Sequence, residues 1–262
     1  YNSYEPILDT YTNASLAFSL RKLRGGYTGN CVKVLRNSDN ALMDFGFVNN
    51  VLDTASLLSW LGSESGYVHT WYFQGISGEG ENAIQNVKAN MPRIVNAGVL
   101  EILNGKASIN FLGNQFLIFS NNSRYDINDH YFNINVASKV YVASSRVLLS
   151  KNHPIAINGV YSISDSSSAN IAAYLRLGGA DKTIAKNSVP YNVQLLISQK
   201  VIKNSSNNLV INGSNYSIPI TGIIGTSTAR MIIGASDNTS NVPFAFWNGK
   251  IQEIISFYND KS

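Results

Sequence analysis

The side chains best suited to chemistry in this sequence are a few carboxylates near the ends of predicted strands. Glycoside hydrolysis needs two carboxyl groups across one cleft, about 5–10 Å apart. The candidates are Asp237, Glu253, Asp165 and Glu79. Asp237 follows an apolar run where a strand ends and a loop begins, a position that also suits an Asx turn. Glu253 lies within an alternating run, which predicts a solvated or paired side chain on the outer face of a sheet.

The sequence gives little support for other kinds of active site. The sequence has no Gly-x-Ser-x-Gly motif, and its three histidines, His69, His130 and His153, lie far apart without metal-ligand spacing. The single cysteine, Cys31, excludes a thiolate zinc site and an internal disulfide framework. We therefore expect no metal ion and no cofactor.

Several segments could contact a ligand without performing chemistry. The glycine-rich run GISGEGEN at residues 75–82 lacks the lysine of a phosphate-binding loop. It is either a surface turn or a rim loop whose carboxylates, Glu79 and Glu81, meet a ligand or a cation. Trp71, Tyr72 and Trp247 could stack on a sugar ring, although aromatic residues on strands more commonly belong to the core. The 33 Asn and 32 Ser residues supply groups that both donate and accept hydrogen bonds.

Composition excludes several classes of protein. Charged residues make up 14% of the 262 residues, too few for a coiled coil or an acidic disordered tail. The net charge of +4 comes from scattered Lys and Arg, so we expect no nucleic-acid partner. No apolar run approaches the roughly 18 residues of a membrane span, so we expect no membrane insertion.

The first sixty residues predict two short helices at the edge of a larger β structure. In Ala14–Arg24, Leu16, Leu20 and Leu23 have helical spacing behind a possible N-cap at Asn13. Asp53–Leu61 forms the second helix, with Asp53 as its N-cap.

From Tyr67 onward, short β-rich runs with apolar–polar alternation predict strands. Asn-Gly pairs begin at positions 104, 158, 212 and 248, and this dipeptide favours the type I′ turns of β-hairpins. Many strands without alternating long helices predict an all-β sandwich of two antiparallel sheets. We expect one domain over residues 1–262, with 1–66 as a mixed edge and 67–262 as the main sandwich.

Two stretches carry a family resemblance. The first comprises AFSLRKLRGGYTGN from residue 17, VLRNSDN from 34, DTA from 53, TWYFQ from 70 and SGEGENAIQ from 77. It resembles the catalytic domain of family 54 α-L-arabinofuranosidases, as found also in bacteriophage structural proteins and bacterial surface proteins. The second, MIIGASDN from 231 and FWNGKIQEII from 246, resembles the closing strands of concanavalin A-like (laminin G-like) jelly rolls. The resemblance implies a concanavalin A-like jelly-roll β-sandwich.

The resemblance also assigns site residues. The family's acid/base aspartate falls on Asp237, with Asn238 after it, whereas the strand expected to hold the nucleophilic glutamate, near 171–178, has no carboxylate. The family's Tyr-Asp-Gln motif becomes Tyr72-Phe73-Gln74. Arg176, if it points inward, would pair with Asp237. The residues implied to contact ligand are Trp71, Tyr72, Gln74, Arg176, Asp237 and Asn238.

Without its nucleophile, a retaining mechanism cannot form the glycosyl-enzyme intermediate. The resemblance therefore implies a non-catalytic glycan-recognition or structural module of a phage virion, in a head or tail appendage, or of a bacterial surface protein. Its partners would be a surface glycan, other virion subunits and further copies of itself. Two alternatives stay open: an α-L-arabinofuranosidase-like hydrolase with Asp237 as acid/base, and a purely structural virion subunit. An open aromatic-lined cleft would favour recognition, a second carboxylate near Asp237 would favour hydrolysis, and a filled cleft would favour a structural role.

Overall fold

The structure is a computed structural model that describes residues 5–78, 80–127, 129–141, 144–151, 160–165, 170–222, 225–238 and 240–258. Helices are few and short within these ranges. Two are α-helices, α1 (Ile7–Thr10) and α2 (Thr54–Leu61), and two are single 3₁₀ turns, Lys88–Asn90 and Ser123–Tyr125.

Strands form most of the remaining structure. The first twelve are β1 (Leu16–Ser19), β2 (Val32–Arg36), β3 (Leu42–Phe45), β4 (Phe47–Val48), β5 (Val51–Leu52), β6 (Gly66–Trp71), β7 (Ala83–Ile84), β8 (Arg93–Asn96), β9 (Val99–Leu100), β10 (Ile102–Leu103), β11 (Lys106–Ala107) and β12 (Ile109–Leu112). The others are β13 (Leu117–Phe119), β14 (His130–Ala137), β15 (Arg146–Lys151), β16 (Val160–Asp165), β17 (Ile171–Leu177), β18 (Ala180–Lys186), β19 (Leu195–Ile202), β20 (Ser206–Ile211), β21 (Ser214–Pro219), β22 (Met231–Ile233), β23 (Ser236–Asp237), β24 (Pro243–Phe244) and β25 (Asn248–Tyr258).

The first layer, here called the front sheet, is built around β25. One edge of β25 pairs antiparallel with β14, and the other edge pairs with β12 and then with β1. Beyond β14 the sheet continues through β19, β20 and β21. Strands from both ends of the chain therefore meet in the middle of one sheet.

The second layer, the back sheet, runs in the order β18, β17, β16, β15, β22, β13 and β7, and every pairing is antiparallel. The two layers are joined at one side, because β6 pairs with β2, β7 and β8 while β8 also reaches β12. Three small hairpins, β4–β5, β10–β11 and β23–β24, lie apart from these layers.

The hydrophobic core lies between the two layers. Tyr131 of the front sheet packs on Tyr161 of the back sheet with ring centroids 4.9 Å apart. The hydroxyl of Tyr161 also forms a hydrogen bond with the hydroxyl of Tyr258 on β25. Buried apolar residues form one cluster that extends along the chain from Leu8 to Tyr258. This arrangement confirms the prediction of a sandwich of antiparallel sheets.

The predicted helix over Ala14–Arg24 is wrong, because Leu16–Ser19 is strand β1 within the front sheet. Residues 14–20 are all buried. Apolar residues at helical spacing indicate a helix only when the residues between them are exposed, and here they are not. Asn13 has a φ of +64°, whereas an N-cap has extended backbone. Strand β1 is thus part of the front sheet.

The second predicted helix is confirmed as α2. The Asp53 side chain accepts a hydrogen bond from the backbone N–H of Ser56, as an N-cap should, and Leu57 and Leu61 are buried.

Two of the four Asn-Gly pairs form the predicted hairpin turns. Asn104-Gly105 joins β10 to β11 and Asn212-Gly213 joins β20 to β21, and all four residues have positive φ, as type I′ requires. The pair at 158 lies outside the described residues.

The turn expected for the Asn-Gly pair at 248 does not form, because Asn248-Gly249 lies inside β25. A Cβ atom on Gly249 would stand 2.1 Å from the backbone oxygen of Ser138, so glycine is required there by close backbone packing. Ile251 and Ile254, which follow it, are fully buried in the core.

Candidate functional site

Asp237 lies on β23 with 1% of its surface exposed. Arg230 donates to both of its oxygens, from Nε to Oδ2 at 2.7 Å and from Nη2 to Oδ1 at 2.8 Å. A general acid must present a proton to the leaving group, whereas both oxygens of this carboxylate accept hydrogen bonds from the guanidinium.

Arg176 and Asn238 each have partners of their own. Arg176 donates from Nε to Asp181 Oδ1 at 2.7 Å, and Tyr174 donates from its hydroxyl to the same oxygen. The expectation that Arg176 pairs with Asp237 is therefore wrong, since Arg230 occupies that role. The side chain of Asn238 accepts hydrogen bonds from the backbone N–H groups of Ser240 and Val242, which fixes the turn after β23.

The three other residues expected to contact ligand lie on or just after β6. Trp71 is fully buried and packs on Phe18 with ring centroids 5.7 Å apart. Gln74 is also buried, where its side chain accepts from the backbone of Leu23 and donates to the backbone oxygen of Ser19. Neither side chain faces solvent in this conformation.

Tyr72 is half-buried and donates its hydroxyl to Asp44 Oδ1 at 2.6 Å. Burial and this hydrogen bond raise the pKa of Tyr72 above its usual range. The phenol is therefore a neutral hydrogen-bonding group rather than a base.

Glu253 lies on the outer face of the front sheet, as the alternation in its strand predicts. It is cross-strand partner to Val136 of β14 and to Ser19 of β1. Arg21 donates to it from Nε at 2.6 Å and from Nη2 at 2.8 Å, and the Ser19 hydroxyl donates at 2.8 Å. The result is a nearly buried carboxylate held flat against a half-exposed guanidinium.

The Arg21–Glu253 pair lies in a cavity of about 910 Å³, here called the groove. This volume is within the roughly 300–1,000 Å³ of small-molecule sites. Strands of the front sheet supply Val136, Leu196, Gln252 and Glu253, and the hairpin loops beside them supply the walls. The wall residues are Asn49, Asn50, Val51, Leu52, Thr54, Leu100, Ile102, Gly105, Lys106, Ala107, Gln194 and Asn212.

Amide side chains fix the shape of the groove. Gln252 donates to the backbone oxygens of Leu103 and Ala107, both at 3.0 Å, which ties the β10–β11 hairpin to the front sheet. Gln194 donates to Gln252 Oε1 at 2.6 Å and accepts from Asn104 at 2.9 Å. This chain of hydrogen bonds holds polar groups beside the apolar side chains of Val136 and Leu196.

A second cavity, of about 590 Å³, is lined by the glycine-rich segment, Arg24 and Tyr27. Gly75 and Gly80 approach the ring of Phe73 so closely that a Cβ atom on either would stand less than 2.5 Å from it. Burial raises the pKa of Tyr27 to about 12, with a smaller contribution from the nearby Cys31, while the positive charge of Arg24 partly opposes the increase. Glu81 lines this cavity, whereas Glu79 lies outside the described residues.

Asp165, the remaining carboxylate candidate, is buried 3.5 Å from Lys139 Nζ. Among the described residues, no group of three or more His, Cys, Asp or Glu side chains is placed to hold a metal ion. The same part of the chain has no helix long and apolar enough to cross a membrane.

Comparison with known proteins identifies the architecture. No family model and no curated protein matches the chain. A mutant GH54 α-L-arabinofuranosidase soaked with 4-nitrophenyl α-L-arabinofuranoside matches with a TM-score of 0.69 and 11% identity, over 99% of this chain and 62% of that one. The fold is a jelly-roll β-sandwich. An arabinofuranosidase complexed with arabinofuranosyl-α-1,2-xylobiose gives the same jelly roll, with a TM-score of 0.69, 10% identity and the same coverage of both chains.

The jelly roll confirms the predicted fold class, and at this identity the likeness concerns the fold alone. The chain spans about three fifths of the length of these neighbours. Sequence reasoning missed the groove because its walls come from loops near residues 50, 105, 194 and 212. One feature of the sequence could have indicated the groove. Glu253 lies in a strand where apolar and polar residues alternate, and a carboxylate at such a position needs a charged partner or water.

Proposed function

We propose that this jelly roll is a non-catalytic glycan-recognition module that binds an oligosaccharide in the groove. The observation that carries the proposal is the Arg21–Glu253 pair within an open cavity of about 910 Å³. A sugar presents hydroxyl groups at its rim and C–H groups on its faces. Such a ligand needs a site where polar and apolar side chains alternate over a short distance.

The groove offers both kinds of contact. Amide and charged groups of Gln194, Asn212 and the Arg21–Glu253 pair can exchange hydrogen bonds with sugar hydroxyls. Leu196, 49% exposed, and the half-buried Val136 provide an apolar surface beside them. The described lining residues include no aromatic ring, so the sugar would lie on aliphatic side chains rather than on Trp71 or Tyr72.

The paired carboxylates support a binding role rather than hydrolysis. Asp237 is bound by Arg230, Glu253 by Arg21 and Ser19, and Asp165 lies against Lys139. Retaining hydrolysis requires one carboxylate free to attack and one carboxylic acid able to donate a proton. None of these three residues is arranged for either step.

We place the module on a phage virion or a bacterial surface, where it would also contact other virion subunits or further copies of itself. This placement rests on the sequence resemblance to domains of such proteins. Two exposed apolar side chains on neighbouring strands of the front sheet are compatible with assembly contacts: Phe132 on β14 is 37% exposed and Leu196 on β19 is 49% exposed. An open groove, however, favours recognition over a purely structural role.

A glycan array followed by calorimetry tests the proposal. We expect the chain to bind at least one class of surface oligosaccharide. Leu196→Glu, which places a charge in the groove, should weaken that binding at least tenfold. Val193→Glu is the matched control, because Val193 is 43% exposed on the same segment but does not line the groove. Binding unaffected by Leu196→Glu, or no binding to any surface polysaccharide, would refute recognition at this site.

A hydrolysis assay distinguishes a binding module from an enzyme. We expect no hydrolysis of 4-nitrophenyl α-L-arabinofuranoside by the wild type or by Asp237→Asn. Hydrolysis by the wild type that disappears in Asp237→Asn would establish the enzyme alternative instead.

A further inference from the structure

A lysine and an aspartate that do not line the groove lie in contact inside the core. Lys151 has no exposed side-chain surface and Asp126 has 6%, and Lys151 Nζ donates to Asp126 Oδ1. Lys151 ends β15 of the back sheet. Asp126 follows the 3₁₀ turn Ser123–Tyr125 and precedes β14 of the front sheet. The contact therefore joins the back sheet to the segment that leads into β14.

The surroundings of this pair are largely apolar and aromatic. Across the sheet, Lys151 is opposite Tyr161 on β16 and opposite Met231 on β22, and both side chains are buried. On the other side, Asp126 Oδ1 accepts a hydrogen bond from the backbone N–H of Ser227 at 3.3 Å. Water has little access to either functional group.

Burial changes the balance between the charged and neutral forms of this pair. Desolvation lowers the pKa of Lys151, and the attraction of Asp126 only partly opposes that effect. Two isolated charges are costly in such an environment, so transfer of a proton from the ammonium to the carboxylate is less unfavourable than in water. The products of this transfer are a neutral amine and a neutral carboxylic acid held in contact.

We propose that Lys151 and Asp126 condense to form an intramolecular amide. Lys151 Nζ attacks Asp126 Cγ, so that an N–C bond forms. One C–O bond of the carboxyl group then breaks, and the oxygen leaves with two protons as water. No oxidant, reductant or further reactant is required. The fixed contact between the two groups supplies the high effective concentration that such a condensation needs, and an apolar site favours the neutral amide over the ion pair.

The other buried pair, Lys139 and Asp165, is an internal comparison. Lys139 Nζ lies 3.5 Å from Asp165, donates to the backbone oxygen of Asn170 at 3.2 Å and stands 4.8 Å from the centre of the Tyr191 ring. Desolvation lowers the pKa of Lys139 as well, but its ammonium group is held by these several partners, which favour the charged form. We expect this second pair to remain ionic.

Intact mass spectrometry of the folded and then denatured chain tests the proposal. We expect the chain to be lighter than its sequence by the mass of one water molecule. Tryptic digestion should give a single linked species containing both Asp126 and Lys151, because trypsin does not cleave after an acylated lysine. A wild-type mass equal to the sequence mass, or a water loss located elsewhere, overturns the proposal.

Variants assign the bond to these residues. Lys151→Met and Asp126→Ala should each restore the full sequence mass, corrected for the substitution. Lys139→Met should keep the water loss, which shows that a buried lysine as such is not the cause. If both Lys151→Met and Asp126→Ala retained the loss, the linkage would belong to other residues. The wild-type measurement decides the proposal even where a variant fails to fold.

Discussion

Arg230 donates two nearly parallel hydrogen bonds to Asp237 at 2.7 and 2.8 Å, and it donates a third to the backbone oxygen of Asn241 at 2.8 Å. The guanidinium thereby joins the end of the loop after β23 to the carboxylate on that strand. Bidentate pairs of this kind are among the stronger polar contacts in proteins. Asp237 is thus a structural residue of this turn, although the family resemblance assigns it to acid/base chemistry.

The first prediction concerns the stability contributed by this pair. Removing one partner of a buried ion pair costs about 3–5 kcal/mol, and less here because Arg230 is partly exposed. We expect Asp237→Asn and Arg230→Met each to lower the free energy of unfolding by about 1–3 kcal/mol. The sequence alone suggests that Asp237→Asn leaves folding nearly intact, so chemical denaturation distinguishes the two expectations.

A double-mutant cycle gives the control for this pair. The two substitutions together should cost clearly less than the sum of the single costs, because each removes the same contact. Additive costs would mean that the two side chains do not interact.

The second prediction concerns Gly249 in β25. Gly249→Ala should lower the free energy of unfolding by about 1–3 kcal/mol, because its Cβ atom would overlap the backbone of Ser138 and Lys139. Gly46→Ala is the matched control, since a Cβ atom there meets no other atom within 4 Å. Equal melting temperatures for the two variants would contradict the close approach of these backbones.

The third prediction concerns alkaline pH. Burial raises the pKa values of Tyr131, Tyr161 and Tyr258 well above the ordinary value of 10.0. Above pH 10 the unfolded chain therefore loses tyrosine protons that the folded chain keeps, so stability falls as pH rises. The slope should approach about 1.4 kcal/mol per pH unit for each such tyrosine. Tyrosinate absorbance should appear together with unfolding in an alkaline titration.

Tyr131→Phe checks the origin of this slope. The Tyr131 hydroxyl has no hydrogen-bond partner among the described side chains and backbone groups, so its removal should leave the fold intact. The alkaline slope should fall by about 1.4 kcal/mol per pH unit relative to the wild type, the contribution of one such tyrosine. An unchanged slope would assign the alkaline transition to other groups.

The fourth prediction concerns the reactivity of Cys31. This thiol is fully buried, and burial raises its pKa well above the ordinary value, so the reactive thiolate is suppressed in the native chain. We expect Ellman's reagent to react with one thiol in denaturant and with almost none in buffer. Rapid labelling of the native chain would indicate that β1, whose Ser19 oxygen the thiol approaches at 3.4 Å, opens readily.

Local signals made part of this structure predictable from sequence. The cap at Asp53 and the turn at Asn212-Gly213 depend on residues within a few positions of one another. The strand Leu16–Ser19 escaped prediction because it is buried on both faces, and apolar spacing then carries no information about secondary structure. Gly249 was mistaken for a turn residue because its true constraint, the backbone of Ser138, is 111 positions away.

The candidate site was harder to predict than the fold. Glu253 pairs with Arg21, which lies 232 positions earlier in the sequence. The nearer pair, Arg230 and Asp237, lies on either side of a bend at Gly234, where φ is +86°. Ion pairs that form through tertiary contacts produce no periodic pattern in the sequence from which they could be predicted. The assignment of Arg176 to Asp237 failed for this reason.

The eleven residues of β25 have a consequence for biosynthesis. Strands β1, β12 and β14 emerge from the ribosome well before β25, yet each has β25 as a neighbour in the finished sheet. Until Asn248–Tyr258 leaves the exit tunnel, these three strands expose unpaired edges and apolar side chains. We therefore expect the front sheet to assemble only after Asn248–Tyr258 has been synthesised and has left the exit tunnel.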